Sequence, residues 1–117
     1  MKRKKINALL SVYVFKDSVA DCYVAYCPSL NLCGYDRTKT AAKADFQYVL
    51  NEYFTEQIEQ GTLLEDLRMH GWKVEDDRLS APTFNTMYRA KNSQLRSIVT
   101  ENMGGYEMYN VSCPAIL

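Results

Sequence analysis

The sequence has no surplus of charge of either sign and only one histidine. Fourteen Lys and Arg residues balance fourteen Asp and Glu residues, so the formal net charge of the 117-residue chain is zero. This balance argues against a protein whose whole surface is devoted to nucleic acid, although it is compatible with a local basic patch. The single histidine, His70, follows a predicted helix, where the helix dipole favours positive charge, and we expect no catalytic role for it.

Metal-binding and disulfide patterns are also missing. Three of the four cysteines, Cys22, Cys27 and Cys33, have the spacing C-x4-C-x5-C, and no C-x-x-C pair occurs. A structural zinc site would need closer pairs together with a second pair or histidines. We therefore predict buried free thiols in a reducing cytoplasm, with no metal and no other cofactor.

The sequence has no long hydrophobic run. The apolar run at 6–15 follows four basic residues, as in a signal peptide, but it contains two polar residues and is too short to span a membrane. Asp21 stands before Cys22, where a lipid-carrying cysteine needs a small residue, and no A-x-A-like cleavage site is present. We expect a cytoplasmic protein without membrane association.

Period-two alternation and β-branched or aromatic residues predict four strands. Residues 6–16 have one fully apolar face, which indicates a central strand, and residues 21–27 form a hairpin with it. Pro28 interrupts the second strand, and residues 30–35 predict a short third strand in which Gly34 allows a bend or a close approach. A final strand is predicted at 106–113.

Helical periodicity follows the third strand. Thr38 is expected to begin a long helix that ends at Gly61. Its predicted apolar face consists of Ala42, Phe46, Val49, Leu50, Tyr53, Phe54 and Ile58. The box Thr62-x-x-Glu65 predicts a capped second helix that ends at Gly71, before a short strand at 72–74. Residues 75–82 are charged and linker-like, and residues 92–102 predict a third helix. The fold class is therefore α+β with a mainly antiparallel sheet.

The segment from Tyr23 to Thr38 reads YVAYCPSLNLCGYDRT. Its order of aromatic-x-Ala-x-x-Pro-x-Leu, then Gly-x-Asp-x-Thr and an Ala-containing amphipathic helix, resembles the HicB family of bacterial antitoxins. The resemblance covers roughly residues 6–75. It implies a truncated ribonuclease-H-like fold, with an antiparallel three-stranded sheet and a helix, in a domain at 1–75. Residues 76–117 would form a C-terminal extension, a helix plus a strand, that packs on the sheet or is swapped with it.

The resemblance also implies a function. HicB-like proteins are the neutralising half of type II toxin–antitoxin modules, and they occlude a small mRNA-cleaving ribonuclease, the HicA-like toxin. We expect such a partner and no enzymatic activity. A homodimer or larger assembly is expected because small sheets with exposed strands pair their edges or cover them. Strand addition at a broken edge strand with exposed aromatics predicts partner contact at Tyr26, Pro28, Leu30, Leu32 and Tyr35.

The sequence leaves two other functions possible, a nuclease and a DNA-binding repressor. A degenerate metal-dependent ribonuclease-H-like nuclease would need carboxylates such as Asp21 and Asp36 to converge on two metal ions. We expect these two carboxylates and that of Asp45 to be ordinary surface charge. An operator-binding repressor would need two adjacent helices with a tight turn, but residues 83–117 predict only one helix and a strand. DNA binding therefore stays open. The tyrosine-rich strands lack interleaved Lys or Arg, which favours protein partners over stacked bases.

Overall fold

The computed structural model describes residues 9–17, 19–74, 79–83, 86–87 and 105–112. The chain is α+β, with a four-stranded antiparallel sheet in the order β3-β2-β1-β6 and a separate two-stranded hairpin, β4-β5. The strands are β1 (Leu9–Asp17), β2 (Cys22–Cys27), β3 (Leu32–Asp36), β4 (Lys73–Val74), β5 (Leu79–Ser80) and β6 (Glu107–Ser112). The helices are α1 (Lys39–Gln60) and α2 (Leu63–Met69).

The prediction of a three-stranded sheet is wrong, because β6 completes the sheet beside β1. The two strands pair antiparallel, with Leu10 opposite Val111 and Val12 opposite Tyr109. Tyr109 and Val111 pack against the main core cluster, so burial of these side chains favours the added strand. The predicted strand at 106–113 is confirmed, and it comes from the segment that the sequence assigned to the C-terminal extension.

The two hairpins of the sheet end in polar turns. The Asp17 carboxylate accepts hydrogen bonds from the backbone N–H groups of Val19 and Ala20, and closes the turn between β1 and β2. Between β2 and β3, Leu30 lies in the turn rather than in the strand where it was predicted, and its N–H donates to the Cys27 carbonyl at 3.4 Å. Asn31 follows with φ +53°, a left-handed conformation that Asn tolerates.

Helix α1 begins and ends where the sequence predicts. The Thr38 hydroxyl accepts the Ala41 N–H at 3.1 Å, and Gly61 adopts φ +70° at the C-terminal end. Its buried face holds the predicted residues Ala42, Phe46, Leu50 and Phe54. Ile58 departs from the prediction: it is 39% exposed, because the core ends before the last turn of the helix.

Helix α2 lacks the predicted capping box. The Thr62 hydroxyl donates to the Gln57 side chain at 2.6 Å and makes no cap hydrogen bond to its own helix, because it turns back toward α1. Residues 75–82 were expected to be linker-like, yet Leu79 and Ser80 form β5 opposite β4. Leu79 is buried and joins the main core, which gives this short hairpin its anchor.

The main core lies between α1 and one face of the sheet. Gly34 is where the helix approaches most closely: a Cβ there would lie 2.6 Å from Phe46 Cα and 2.8 Å from the Asp45 carbonyl carbon. The predicted close approach is thus confirmed. The predicted third helix at 92–102, Cys113 and the basic residues 2–5 lie outside the described residues.

Candidate protein-binding surface

Strand register divides the side chains of the sheet between two faces. Val14, Ala25 and Gly34 lie opposite one another on neighbouring strands and face α1. Side chains one residue away point to the other side, because successive residues of a strand alternate. We call this second side the open face. It comprises Leu9, Ser11, Tyr13, Phe15, Asp17, Cys22, Val24, Tyr26, Cys33, Tyr35, Met108, Asn110 and Ser112.

A small aromatic cluster occupies the middle of the open face. Tyr13 and Tyr26 are buried, and Phe15, Val24, Met87 and Tyr106 pack around them. The rings of Tyr13 and Tyr106 have centroids 5.8 Å apart at an interplanar angle of 52°. Burial, with Tyr106 and Cys27 nearby, raises the pKa of the Tyr13 hydroxyl. The phenol therefore stays neutral and serves packing and hydrogen bonding.

The margin of the open face remains exposed. Tyr35 is 63% exposed on β3, and Leu9 and Met108 are 62% and 53% exposed on β1 and β6. The Cys33 thiol lies on β3 with Tyr35 and is exposed rather than buried as predicted, and partial burial together with Asp45 raises its pKa. A raised pKa favours the protonated thiol over the nucleophilic thiolate. The site prediction missed Leu9, Cys33 and Met108. Period-two alternation from Tyr35 places Cys33 on the same face, whereas Leu9 and Met108 lie on other strands and are placed on this face by the strand register.

Charge is segregated away from the open face. Asp17 is the only charged side chain among its described strand positions, and it caps the β1–β2 turn. Two lysines of α1 lie on the other side of the sheet. Lys39 donates to Glu107 at 2.7 Å, and Lys43 lies 4.0 Å from the same carboxylate. An aromatic and apolar face with little charge suits contact with protein better than contact with phosphate.

The residues predicted to contact a partner are divided between the core and the surface. Tyr26, Pro28 and Leu30 are buried, and the Tyr26 hydroxyl donates to Asn31 at 3.1 Å. Leu32 is half-buried against the main core. Tyr35 is the one member of the set with most of its surface accessible. Partner contact at these residues stays a prediction, and only Tyr35 lies on the exposed margin.

The helix occupies one outward backbone donor of the sheet edge at β3. The Tyr35 N–H points away from β2 and donates to the Asp45 carboxylate at 2.9 Å. The expectation that Asp45 is only surface charge is therefore wrong, because its carboxylate occupies a backbone donor of the edge strand. An occupied backbone donor makes the addition of another strand at this position less favourable. The Tyr35 side chain remains exposed beside it.

The carboxylates required by the nuclease alternative do not converge in the described part of the chain. Asp21 lies 3.6 Å from Lys16, and Asp36 accepts its neighbour's N–H at 2.6 Å. Within the described ranges, no group of three or more His, Cys, Asp or Glu side chains is placed to hold a metal ion. His70 ends α2, with Nδ1 2.8 Å from the Asp66 carbonyl oxygen, as its predicted position implies.

A shallow polar cavity of about 430 Å³ lies at the hairpin end of the sheet. Lys16, Asp21, Tyr23 and Arg37 line it, and the Lys16–Asp21 pair offsets part of its positive charge. Its open, exposed walls define no specific ligand.

Comparisons with protein-family models, with curated proteins and with solved structures yield no match. The resemblance to the HicB family therefore remains a prediction carried by the residues quoted above. Of the helices in the described part of the chain, neither is long and apolar enough to cross a bilayer.

Proposed function

We propose that this chain is a protein-binding module that acts as a HicB-like antitoxin, occluding a small mRNA-cleaving ribonuclease in the cytoplasm. The observation that carries the proposal is the open face, whose described strand positions are rich in aromatic and apolar side chains and include one charged residue, Asp17. Interfaces that bind protein have this composition at their centres. The residue pattern from Tyr23 to Thr38 supplies the class of partner.

The mode of binding follows from the geometry of the open face. Because Asp45 occupies the outward N–H of Tyr35, the toxin is expected to contact side chains of the open face rather than to extend the sheet at β3. Tyr35 is the most exposed aromatic side chain of this face, which makes it the candidate anchor. Aromatic anchors contribute a large share of binding energy where a partner excludes water.

Co-expression with the product of the adjacent reading frame tests the proposal. The two proteins should co-purify, and the chain should restore growth that the partner alone arrests. Tyr35→Ala should weaken binding by at least about tenfold, as expected for an interface anchor. Tyr48→Ala is the matched control: Tyr48 is 65% exposed, similar to Tyr35 at 63%, but lies on α1.

Both variants should keep the circular dichroism and melting temperature of the parent, because substitutions of exposed side chains change stability by about 0.5 kcal/mol or less. The proposal fails for that pair if the proteins neither associate nor restore growth. Equal weakening by both variants would rule out the open face as the binding surface. RNA cleavage by the purified chain with Mg²⁺ would favour the nuclease, and a salt-sensitive shift of upstream DNA would favour the repressor.

A further inference from the structure

Two clusters of buried residues lie on opposite sides of the sheet, and the turn between β2 and β3 is bonded to both. On the helix side, the Trp72 indole N–H donates to the Ser29 carbonyl at 2.8 Å in a buried position. On the open face, the Tyr26 hydroxyl donates to the Asn31 side chain at 3.1 Å. Trp72 belongs to the main core and Tyr26 to the aromatic cluster, so this turn connects the two clusters through hydrogen bonds.

The backbone hydrogen bonds within this turn are long. The Leu30 N–H donates to the Cys27 carbonyl at 3.4 Å. The Asn31 N–H donates to the Pro28 carbonyl, also at 3.4 Å. Backbone bonds of this kind usually measure about 2.7–3.2 Å, so these two are weak. The two side-chain bonds that reach the turn from outside it are shorter, and they therefore do more to fix its geometry.

Asn31 gives the turn a second conformation to which it can relax. Its φ of +53° lies in the left-handed region, which Asn tolerates better than most residues but which persists only where the surrounding structure holds it. Ser29, two residues earlier, is held by Trp72. Release of Ser29 therefore allows Asn31 to return to negative φ. That rotation moves the side-chain amide away from the Tyr26 hydroxyl and breaks their bond.

We infer that Trp72 is a positioning residue for the open face and acts through the β2–β3 turn. Its bond to Ser29 holds the turn, and with it Asn31, in the conformation that accepts the Tyr26 hydroxyl. Trp72 lies between α2 and β4, whereas Tyr26 packs in the aromatic cluster on the other side of the sheet. A perturbation at Trp72 thus reaches the open face. This coupling is a property of the free chain and does not depend on the proposed toxin.

Removal of the indole N–H tests the coupling in the free chain. In Trp72→Phe, the NMR ring signals of Tyr26 and Tyr13 should shift, whereas those of Tyr48, 65% exposed on α1, should not. Replacement of the only tryptophan by its benzothiophene isostere, which has no N–H, should cause the same shifts with little change in side-chain shape. Gly61→Ala is the matched control: it perturbs the C-terminal end of α1, removes no bond of the turn, and should leave the Tyr26 signals in place.

A double-mutant cycle of Trp72→Phe and Tyr26→Phe measures the coupling in urea titrations followed by circular dichroism. Independent substitutions multiply their effects on the unfolding equilibrium constant to within about twofold. Tyr26→Phe should have an effect at least about threefold smaller in the Trp72→Phe background than in the parent, because the bond to Asn31 is already weakened there. The cycle of Gly61→Ala with Tyr26→Phe should show no such deviation.

The coupling must also act in the opposite direction, because energetic coupling between two sites is reciprocal. Asn31→Gly keeps access to the left-handed region and removes the side-chain acceptor, so it should shift the indole N–H resonance of Trp72. This variant changes an exposed position and keeps the inference testable if Trp72→Phe does not fold. Unshifted Tyr26 signals in Trp72→Phe overturn the inference. A multiplicative cycle, or an unchanged indole resonance in Asn31→Gly, overturns it as well.

Discussion

Substitution of Gly34 by Ala tests whether the close contact between β3 and α1 holds the fold together. The added Cβ would lie 2.6 Å from Phe46 Cα and 2.8 Å from the Asp45 carbonyl carbon. Both atoms belong to the helix backbone, which cannot move aside as the end of a flexible side chain does. The helix and strand must therefore separate, although Gly34 itself has no positive φ that alanine would strain.

The cost has two parts. Overpacking of a close-packed contact typically destabilises by about 1–3 kcal/mol. Separation of the two elements also lengthens the bond from the Tyr35 N–H to Asp45, and the net worth of such a bond is about 1 kcal/mol. We expect a loss of about 2–4 kcal/mol in the free energy of unfolding. Urea titration followed by fluorescence of Trp72, the only tryptophan, measures it.

Gly61 provides the contrasting control, because its Cβ would meet nothing within 4 Å but its φ is +70°. Gly61→Ala should cost about 1 kcal/mol, and Gly61→Asn should recover part of that loss because Asn tolerates the left-handed region. Gly34→Asn should be at least as damaging as Gly34→Ala, since it adds still more volume. If Gly34→Ala is neutral or stabilising, as expected for an unhindered strand position, the close packing of β3 on α1 is refuted.

Two further substitutions test other parts of the structure. Trp72→Phe removes the donor to the Ser29 carbonyl, a buried bond of 2.8 Å, and should cost about 1–3 kcal/mol in a circular-dichroism urea titration, with Val19→Ala, 95% exposed, as a neutral control. Glu107→Gln should lower the melting temperature at pH 7, because Lys39 holds the pKa of this carboxyl below its ordinary value of 4.5. A group with a lowered folded pKa stabilises above its unfolded value, so the difference from the parent should shrink as pH falls below 4.5; a constant difference would contradict the ion pair.

Local sequence signals predict the elements whose determinants lie within a few residues. Thr38 and Gly61 locate both ends of α1, because capping depends on one side chain or one glycine φ. The same reasoning fails at Thr62, whose hydroxyl donates to the Gln57 side chain of the preceding helix and accepts no N–H of its own helix. Capping rules consider one helix at a time, and this bond joins two.

Pairing between distant segments lies beyond such signals. The fourth strand was recognised as a strand, yet nothing near Glu107 or Ser112 in the sequence indicates that it lies beside β1. The hairpin of β4 and β5 was missed because each strand has two residues, too few to show a period. Leu79, which follows four charged residues, is buried in the main core, and Ala81 packs against the same core.

The exposure of the predicted contact residues depends on the tertiary structure. An aromatic strand surface for protein contact follows from composition, whereas the segment chosen, around Tyr26 and Leu30, turned out to be largely buried. The reason is a long-range contact: the Trp72 indole donates to the Ser29 carbonyl and draws the turn into the core. A residue 43 positions away thus decides which side chains of this turn remain accessible.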